Sequence, residues 1–250
     1  VYAIGRWLGA IGRFLRQTRT GRVVVFLSLP LALLVVGLWP GPERIPPIFD
    51  VQMHYNEDAW VGYPARGVLR GLDKLNVPWV LVSSTPNAGT FRLHELDPKR
   101  VVPLFQPYRT RDDRYHWFQD AAVIPWMESE LALGRYRGIG EIHLVEGGVD
   151  TPVVRRLLAL AVAQRLVLNV HASMPVIRQL FALEPGIRVM WAHAGSTVDP
   201  WQVREMLFGY HGLWAELSHR PDIAPDGELA PAWRVAAGEF FRRARRHREQ

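Results

Sequence analysis

The chain has 250 residues, of which 48% are apolar, with a formal net charge of +6 and no cysteine. This length favours one large domain with an appendage, and the composition excludes general disorder, disulfides and thiolate metal sites. Ten of the 30 Lys and Arg residues crowd into residues 1–22 and 240–250, against one of the 24 Asp and Glu. The remaining body is slightly acidic, so the high average charge is no argument for nucleic-acid binding.

Residues 1–22 carry Arg6, Arg13, Arg16, Arg19 and Arg22, with apolar Trp7, Leu8, Ile11, Phe14 and Leu15 between them. That spacing predicts an amphipathic helix suited to an anionic lipid surface. Residues 23–39 (VVVFLSLPLALLVVGLW) form an uncharged run of 17 residues. As a helix it would extend roughly 25 Å, the short end of a membrane span. Pro30 is tolerable in such a helix and costly in a soluble one. The residues after it, WPGPERIPP, offer no small-residue cleavage site, so an uncleaved anchor is expected, with secretion after signal cleavage as the alternative. The upstream arginines put the N-terminus in the cytoplasm and the body on the extracytoplasmic side. Residues 40–47 read as a Pro/Gly-rich linker.

From residue 48 to 250, short apolar runs alternate with helix-like intervals. The runs are Ile48–Tyr55, Trp79–Thr85, Val101–Tyr108, Gly138–Leu144, Leu166–Ser173, Arg188–Gly195 and Leu213–Ser218. Between them lie amphipathic intervals such as Thr151–Arg165 and Pro200–Tyr210, and a last one, Ala232–Arg248, follows. Repeated β-then-α units predict a parallel sheet with helices outside, an α/β class fold. Their regular length suits a TIM-like (β/α) barrel, and no Gly-rich phosphate fingerprint follows any strand. A closed barrel needs eight strands, and seven are found, so the expected barrel is incomplete.

In such folds the chemistry sits at the C-terminal ends of the strands. Two runs, LVLNVHAS and RVMWAHAG, end in His171 and His193. Other runs end in Asp50 and His54, in Arg109, and in Glu141 and His143. Alternation puts Asp50, Gln52 and His54 on one strand face. A paired His at the end of a first barrel strand would hold a divalent metal, but Gln52 offers only an amide there. His54, Glu141, His171 and His193, on separate strands, are expected to converge on one mouth as a metal site. A bound metal would make hydroxide available near neutral pH, and a neutral His beside it would serve as base.

The runs FDVQMHYNEDAW, SSTPNAGTF, VVPLFQPYRT, GRYRGIGEIHL, VHAS, VMWAHAGS and LWAELSHRPDIAPDGELAPAW resemble the amidohydrolase superfamily. They are most similar to its amidohydrolase 2 branch, which contains metal-dependent hydrolases and aminocarboxymuconate-semialdehyde-type decarboxylases. The likeness is collinear over about residues 46–233. It implies a distorted TIM barrel with one or two metals, usually zinc, and a small-molecule substrate. By position, His54 matches the second His of the first-strand pair and Gln52 its degenerate partner. His171 matches the fifth-strand ligand, and Glu141 a fourth-strand carboxylate or carboxylated Lys. His193 matches the sixth-strand His, a base or orienting group. Arg109 and Arg220 are candidates to hold an anionic substrate by bidentate contact.

Besides Gln52, one further departure stands out. The Asp that the resemblance implies on an eighth strand has no counterpart after Trp233. Three readings follow: a membrane-tethered metal-dependent hydrolase or, less simply, decarboxylase; a catalytically impaired binding or scaffold relative; and a truncated or frameshifted gene product. The sequence leaves substrate and oligomeric state open.

Overall fold

The computed structural model describes residues 46–236. The expected amphipathic segment (1–22), membrane anchor (23–39), most of the linker (40–47) and the end of the basic C-terminal helix lie outside the described residues. Among the described residues, no helix is long and apolar enough to cross a membrane.

Each of the seven apolar runs contains a strand, and each interval between strands contains a helix. In chain order the elements are β1 (Phe49–His54), α1 (Ala65–Lys74), β2 (Trp79–Ser83), α2 (Ala88–His94), β3 (Val101–Phe105), α3 (Val123–Ala132), β4 (Gly138–His143), α4 (Pro152–Ala163), β5 (Val167–His171), α5 (Met174–Leu183), β6 (Arg188–Trp191), α6 (Pro200–Gly209) and β7 (Leu213–Ala215). A further helical stretch covers 231–236. The strands lie in sequence order in one parallel sheet.

The local reasons are ordinary. Thr151 caps α4 by accepting the Val154 N–H at 3.2 Å, and a proline occupies the first turn. Asp199 does the same for α6 through the Trp201 N–H at 2.8 Å. On α4, Val153, Val154, Leu157, Leu158 and Ala161 are buried, one apolar stripe at helical spacing. The strands' own branched residues, Val80, Val82, Leu168, Val170 and Val189, meet these stripes and are fully buried.

The sheet is curled. In a flat sheet β1 and β5 would stand about 19 Å apart, four strand spacings. Yet the Asn169 amide on β5 donates to Gln52 Oε1 on β1 at 2.7 Å and to the Val51 carbonyl at 3.3 Å. Only a sheet bent around a lumen lets these side chains meet. Among the described residues no eighth strand joins β7 to β1, so the architecture is a TIM-like half-barrel of seven strands.

Two bulges aim the rim. In β1 the register against β2 slips by one residue between Asp50 and Met53, and Asp50 Oδ1 accepts the Gln52 N–H at 2.9 Å. The unbroken alternation expected across Asp50, Gln52 and His54 is therefore not kept. In β4 the register slips between Ile139 and Ile142. Both isoleucines are buried in the outer core, and Glu141 and His143 turn to the lumen together. Gly140 is required there: a Cβ would lie 2.2 Å from the Asn169 carbonyl oxygen, and φ is +137°.

Candidate metal centre and active site

One carboxylate organises the rim. Glu141, at the bulge of β4, is 5% exposed. Its Oε2 lies 3.0 Å from His54 Nε2 and 3.7 Å from His143 Nε2. Its Oε1 lies 3.1 Å from His171 Nδ1 and 3.6 Å from His193 Nε2. Four imidazoles from β1, β4, β5 and the turn after β6 therefore surround it. Burial acts to push this carboxyl up, but the imidazoles of His143, His171 and His54 outweigh burial and hold it well below the usual carboxylate range. It is an anion at every physiological pH. Burial pushes the His143 imidazole down against the pull of Glu141, with the charges of His171 and Arg114 adding to the fall.

His193 is held by a second buried carboxylate. Its backbone N–H donates to Glu216 Oε2 at 3.0 Å, and its Nδ1 lies 3.2 Å from the same oxygen. Nδ1 also lies 3.0 Å from the Ser218 carbonyl oxygen, which only accepts, so Nδ1 carries the proton. In the neutral ring the Nε2 lone pair then faces the Glu141 oxygens. Two acceptors pointing at one space is an arrangement that a cation reconciles. His54 is set in a similar way, with Nδ1 2.8 Å from Ser83 Oγ and Nε2 toward the carboxylate.

The turn carrying His193 is strained. His193, Ala194, Gly195 and Ser196 have φ of 55°, 43°, 72° and 58°. Three non-glycine residues in the left-handed region are costly and persist only where surrounding bonds fix them. Arg220 supplies those bonds. Its guanidinium donates to the Ala194 carbonyl at 3.1 Å and the Val198 carbonyl at 2.6 Å, and pairs with Asp222. Asp222 in turn accepts the Trp233 indole N–H at 2.8 Å. Arg220 holds that carboxyl well below its ordinary value, with the indole N–H adding to the effect.

Ligand atoms of Glu141, His171 and His193 all lie within 4.8 Å of one another. A tetrahedral zinc with bonds near 2.1 Å needs its ligands about 3.4 Å apart. From Glu141 Oε1 the His171 and His193 nitrogens lie 3.1 and 3.6 Å away, on either side of that value, while His54 sits 3.0 Å from the other oxygen, outside this three-residue group. The donor set of imidazole nitrogen and carboxylate oxygen fits a divalent cation. Beside His171, a cleft of about 500 Å³ opens between the loops after β4, β5 and β6, lined by Glu146, Ser173 and Ser196 among others.

Neither a family model nor a curated protein sequence matches the chain. Among solved structures, it superposes on a protein from Staphylococcus aureus described as an amidohydrolase by assignment, with a TM-score of 0.50 at 11% identity, over 78% of this chain and 84% of that one. A protein described as a 2-pyrone-4,6-dicarboxylic acid hydrolase from Acinetobacter baumannii, with citric acid bound, gives 0.48 at 16%, over 78% and 77%. An amidohydrolase 2 from Bifidobacterium longum subsp. infantis gives 0.43 at 14%, over 78% and 80%. The chain has the fold of amidohydrolase-type proteins.

Within that fold, the structure brings together His54, Glu141, His171 and His193. It does not bring Arg109 or Arg220 to them. Arg109 bonds Asp113 and Asp120 and lines an outer cleft with Phe91 and Tyr136. Arg220 is buried under the strained turn, its donors taken by backbone carbonyls and Asp222. Gln52 points across the lumen to Asn169 rather than into the cluster. Among the described residues, Gln52 Nε2 and Asn169 Oδ1 have no hydrogen-bond partner.

Sequence reasoning passed over Ser83, Tyr108 and Glu216, and noted His143 only as a strand end. The strand-end rule that found Glu141 would also have found Glu216, one residue beyond β7. Ser83 and Tyr108 gave no signal, because a hydroxyl at a strand end or in a loop is too common to single out.

Proposed function

We propose that this chain is a metal-dependent hydrolase of the amidohydrolase 2 type, acting on a small substrate at the open rim of the half-barrel. The observation that carries the reading is Glu141, a buried carboxylate ringed by imidazoles from separate strands. Glu141, His54 and His171 would hold a divalent cation, with zinc favoured by the nitrogen-rich donor set. When bound, such a cation supplies Lewis acidity and brings the pKa of water to near 7.

The remaining chemistry belongs to the side chains. His193, its Nδ1 engaged by the Ser218 carbonyl, turns Nε2 to the same space and would serve there as the general base. Glu216 and the Ser218 carbonyl fix its tautomer and stabilise the imidazolium that forms, as an orienting carboxylate does for a catalytic His. Substrate enters through the cleft beside His171, where the hydroxyls of Ser173 and Ser196 line the approach. The apolar run at 23–39 tethers this body to the membrane in the same reading.

The test is zinc titration followed by a hydrolase screen. Stoichiometric binding that Glu141→Gln and His171→Ala each abolish, with hydrolysis of an ester or lactone panel that His193→Ala abolishes, supports the proposal. Absence of zinc binding by the folded protein overturns it. A second reading, a relative that keeps the cluster without turnover, is favoured by Gln52 being locked to Asn169. Zinc binding without hydrolysis across the panel would select it.

A further inference from the structure

The two ends of the half-barrel differ in charge. Because the strands are parallel, every connection that follows a strand lies at the rim, and every connection that precedes one lies at the opposite end, the floor. The rim connections hold twelve Asp and Glu against four Lys and Arg. The floor connections hold three against five. The slight acidity of the body is thus the average of an acidic rim and a basic floor. Arg100 at the floor is paired with Asp73 and Asp97, and Arg135 with Glu130. Lys74 (the last residue of α1), Lys99, Arg137 and Arg165 are exposed, and among the described residues none of these four forms a salt bridge.

Large apolar side chains stand among these cations. Ile48, Phe49, Leu75, Trp79, Leu96 and Leu133 are exposed at the floor, and Leu75, Trp79 and Leu133 by more than half. Phe49 and Trp79 meet edge to face with ring centroids 6.4 Å apart. Leu75 adjoins Lys74, Leu96 precedes Lys99 by three residues, and Leu133 precedes Arg137 by four. Backbone bonds lace the floor turns into one surface. The Ile48 N–H donates to the Asn76 carbonyl at 3.1 Å, the Val80 N–H to Arg100 at 3.0 Å, and the Arg137 N–H to Pro103 at 2.9 Å. Apolar and aromatic tips flanked by long cationic side chains suit the headgroup layer of a bilayer, where the tips sink in and the charges stay at the surface.

Chain connectivity favours the same partner. The uncharged run 23–39 ends ten residues before Phe49, where β1 begins at the floor. Fully extended, ten residues reach at most about 35 Å. We propose that the floor docks on an anionic lipid surface and so turns the rim, with the Glu141 cluster, away from the bilayer toward solvent. Anionic headgroups attract the floor and repel the acidic rim, so the charge separation fixes the orientation. A water-soluble substrate then reaches the rim without crossing lipid. The tether belongs to the proposed function; docking itself needs only the floor.

The chain has no cysteine, so one introduced thiol carries a single fluorescent label. Leu75→Cys and Leu133→Cys mark the floor, and Val61→Cys, after β1, marks the rim. Each full-length variant is mixed with vesicles of phosphatidylcholine, alone or with phosphatidylglycerol, that carry a quencher at headgroup depth. Both floor labels should be quenched at least twofold more than the rim label, and only with phosphatidylglycerol present. Molar salt, which shortens the Debye length to about 3 Å, should remove at least half of that quenching, and so should the combined Lys74→Glu, Lys99→Glu and Arg137→Glu changes. Equal quenching of rim and floor, equal quenching by neutral vesicles, or insensitivity to both salt and charge reversal would overturn the proposal. Alkaline carbonate extraction reports the tether separately. Floor quenching by protein that carbonate extracts would sink the tether and leave docking standing, whereas carbonate resistance without floor quenching would sink docking alone.

Discussion

The molecule has two unequal halves. Strands β1–β3 with α1 and α2 pack around a small cluster: Tyr55, Leu72, Val77, Val80, Val82, Leu93 and Val101. Strands β4–β7 with α3–α6 enclose a far larger one, including the fully buried Trp117, Trp191 and Met127. The β3–β4 ladder between them is short, pairing Leu104↔Gly138 and Phe105↔Ile139, and the halves are also tied by the Gln106 amide to the Glu141 carbonyl and by Asn169 to Gln52 and Val51 across the lumen. Yet the candidate site draws on both, since His54 comes from the small half and the other imidazoles from the large one. The difference teaches how the site is divided. Glu141, His193 and Glu216 are built on the half with the larger core, and His54 arrives from the half with the smaller one.

That asymmetry can be broken by mutation. The largest effect is expected from Trp191→Ala, which empties the large core and removes the indole bond to the Ala172 carbonyl at 2.8 Å. It should cost about 3–5 kcal/mol in denaturant unfolding. Next, Glu141→Gln should lower zinc affinity at least 100-fold by calorimetry, roughly 2.7 kcal/mol. His54→Gln should lower it less, about tenfold, if the large half alone can retain the cation. Equal losses for the two would show that the halves contribute alike. Val82→Ala, in the small core, should cost about 2 kcal/mol. It should also loosen zinc through His54 while leaving the fold of β4–β7 intact, as seen by amide exchange.

The smallest effect is acid sensitivity at the Arg220 clamp. Asp222 has a depressed carboxyl pKa because Arg220 and the Trp233 indole bond its anion. A depressed carboxylate stabilises the fold above its unfolded pKa near 4, and that contribution disappears as pH falls through the folded value. The wild-type melting temperature should therefore drop more than that of Asp222→Asn between pH 5 and 2. Asp222 is half exposed, so the difference will be small.

Much of the architecture was legible because burial dictates residue type. Fully buried parallel strands read as apolar runs, and all seven runs hold strands. The site residues were legible where a strand ends in an imidazole or carboxylate. What could not be read is what other residues do to them. Arg109 and Arg220 look alike as arginines near strand ends. Asp120 and Asp113 engage the first, and the Ala194 and Val198 carbonyls engage the second. The bulges in β1 and β4 were equally hidden, because a one-residue slip leaves no mark on an apolar pattern beyond a glycine at 140. Nor does sequence alternation say that Gln52 and Asn169 would meet across the lumen.

The position of Glu141 between the halves has a thermodynamic corollary. Its two oxygens face imidazoles that belong to different packing units, so any cation held there is a tie across the narrow β3–β4 seam. Ligation is then coupled to folding of the unit with the smaller core: at a free concentration of 100 times Kd the bound form gains about 2.7 kcal/mol over the unbound one. That gain should appear as slowed exchange of the β1 and β2 amides, far from the ion itself, before any change is visible in β5 or β6.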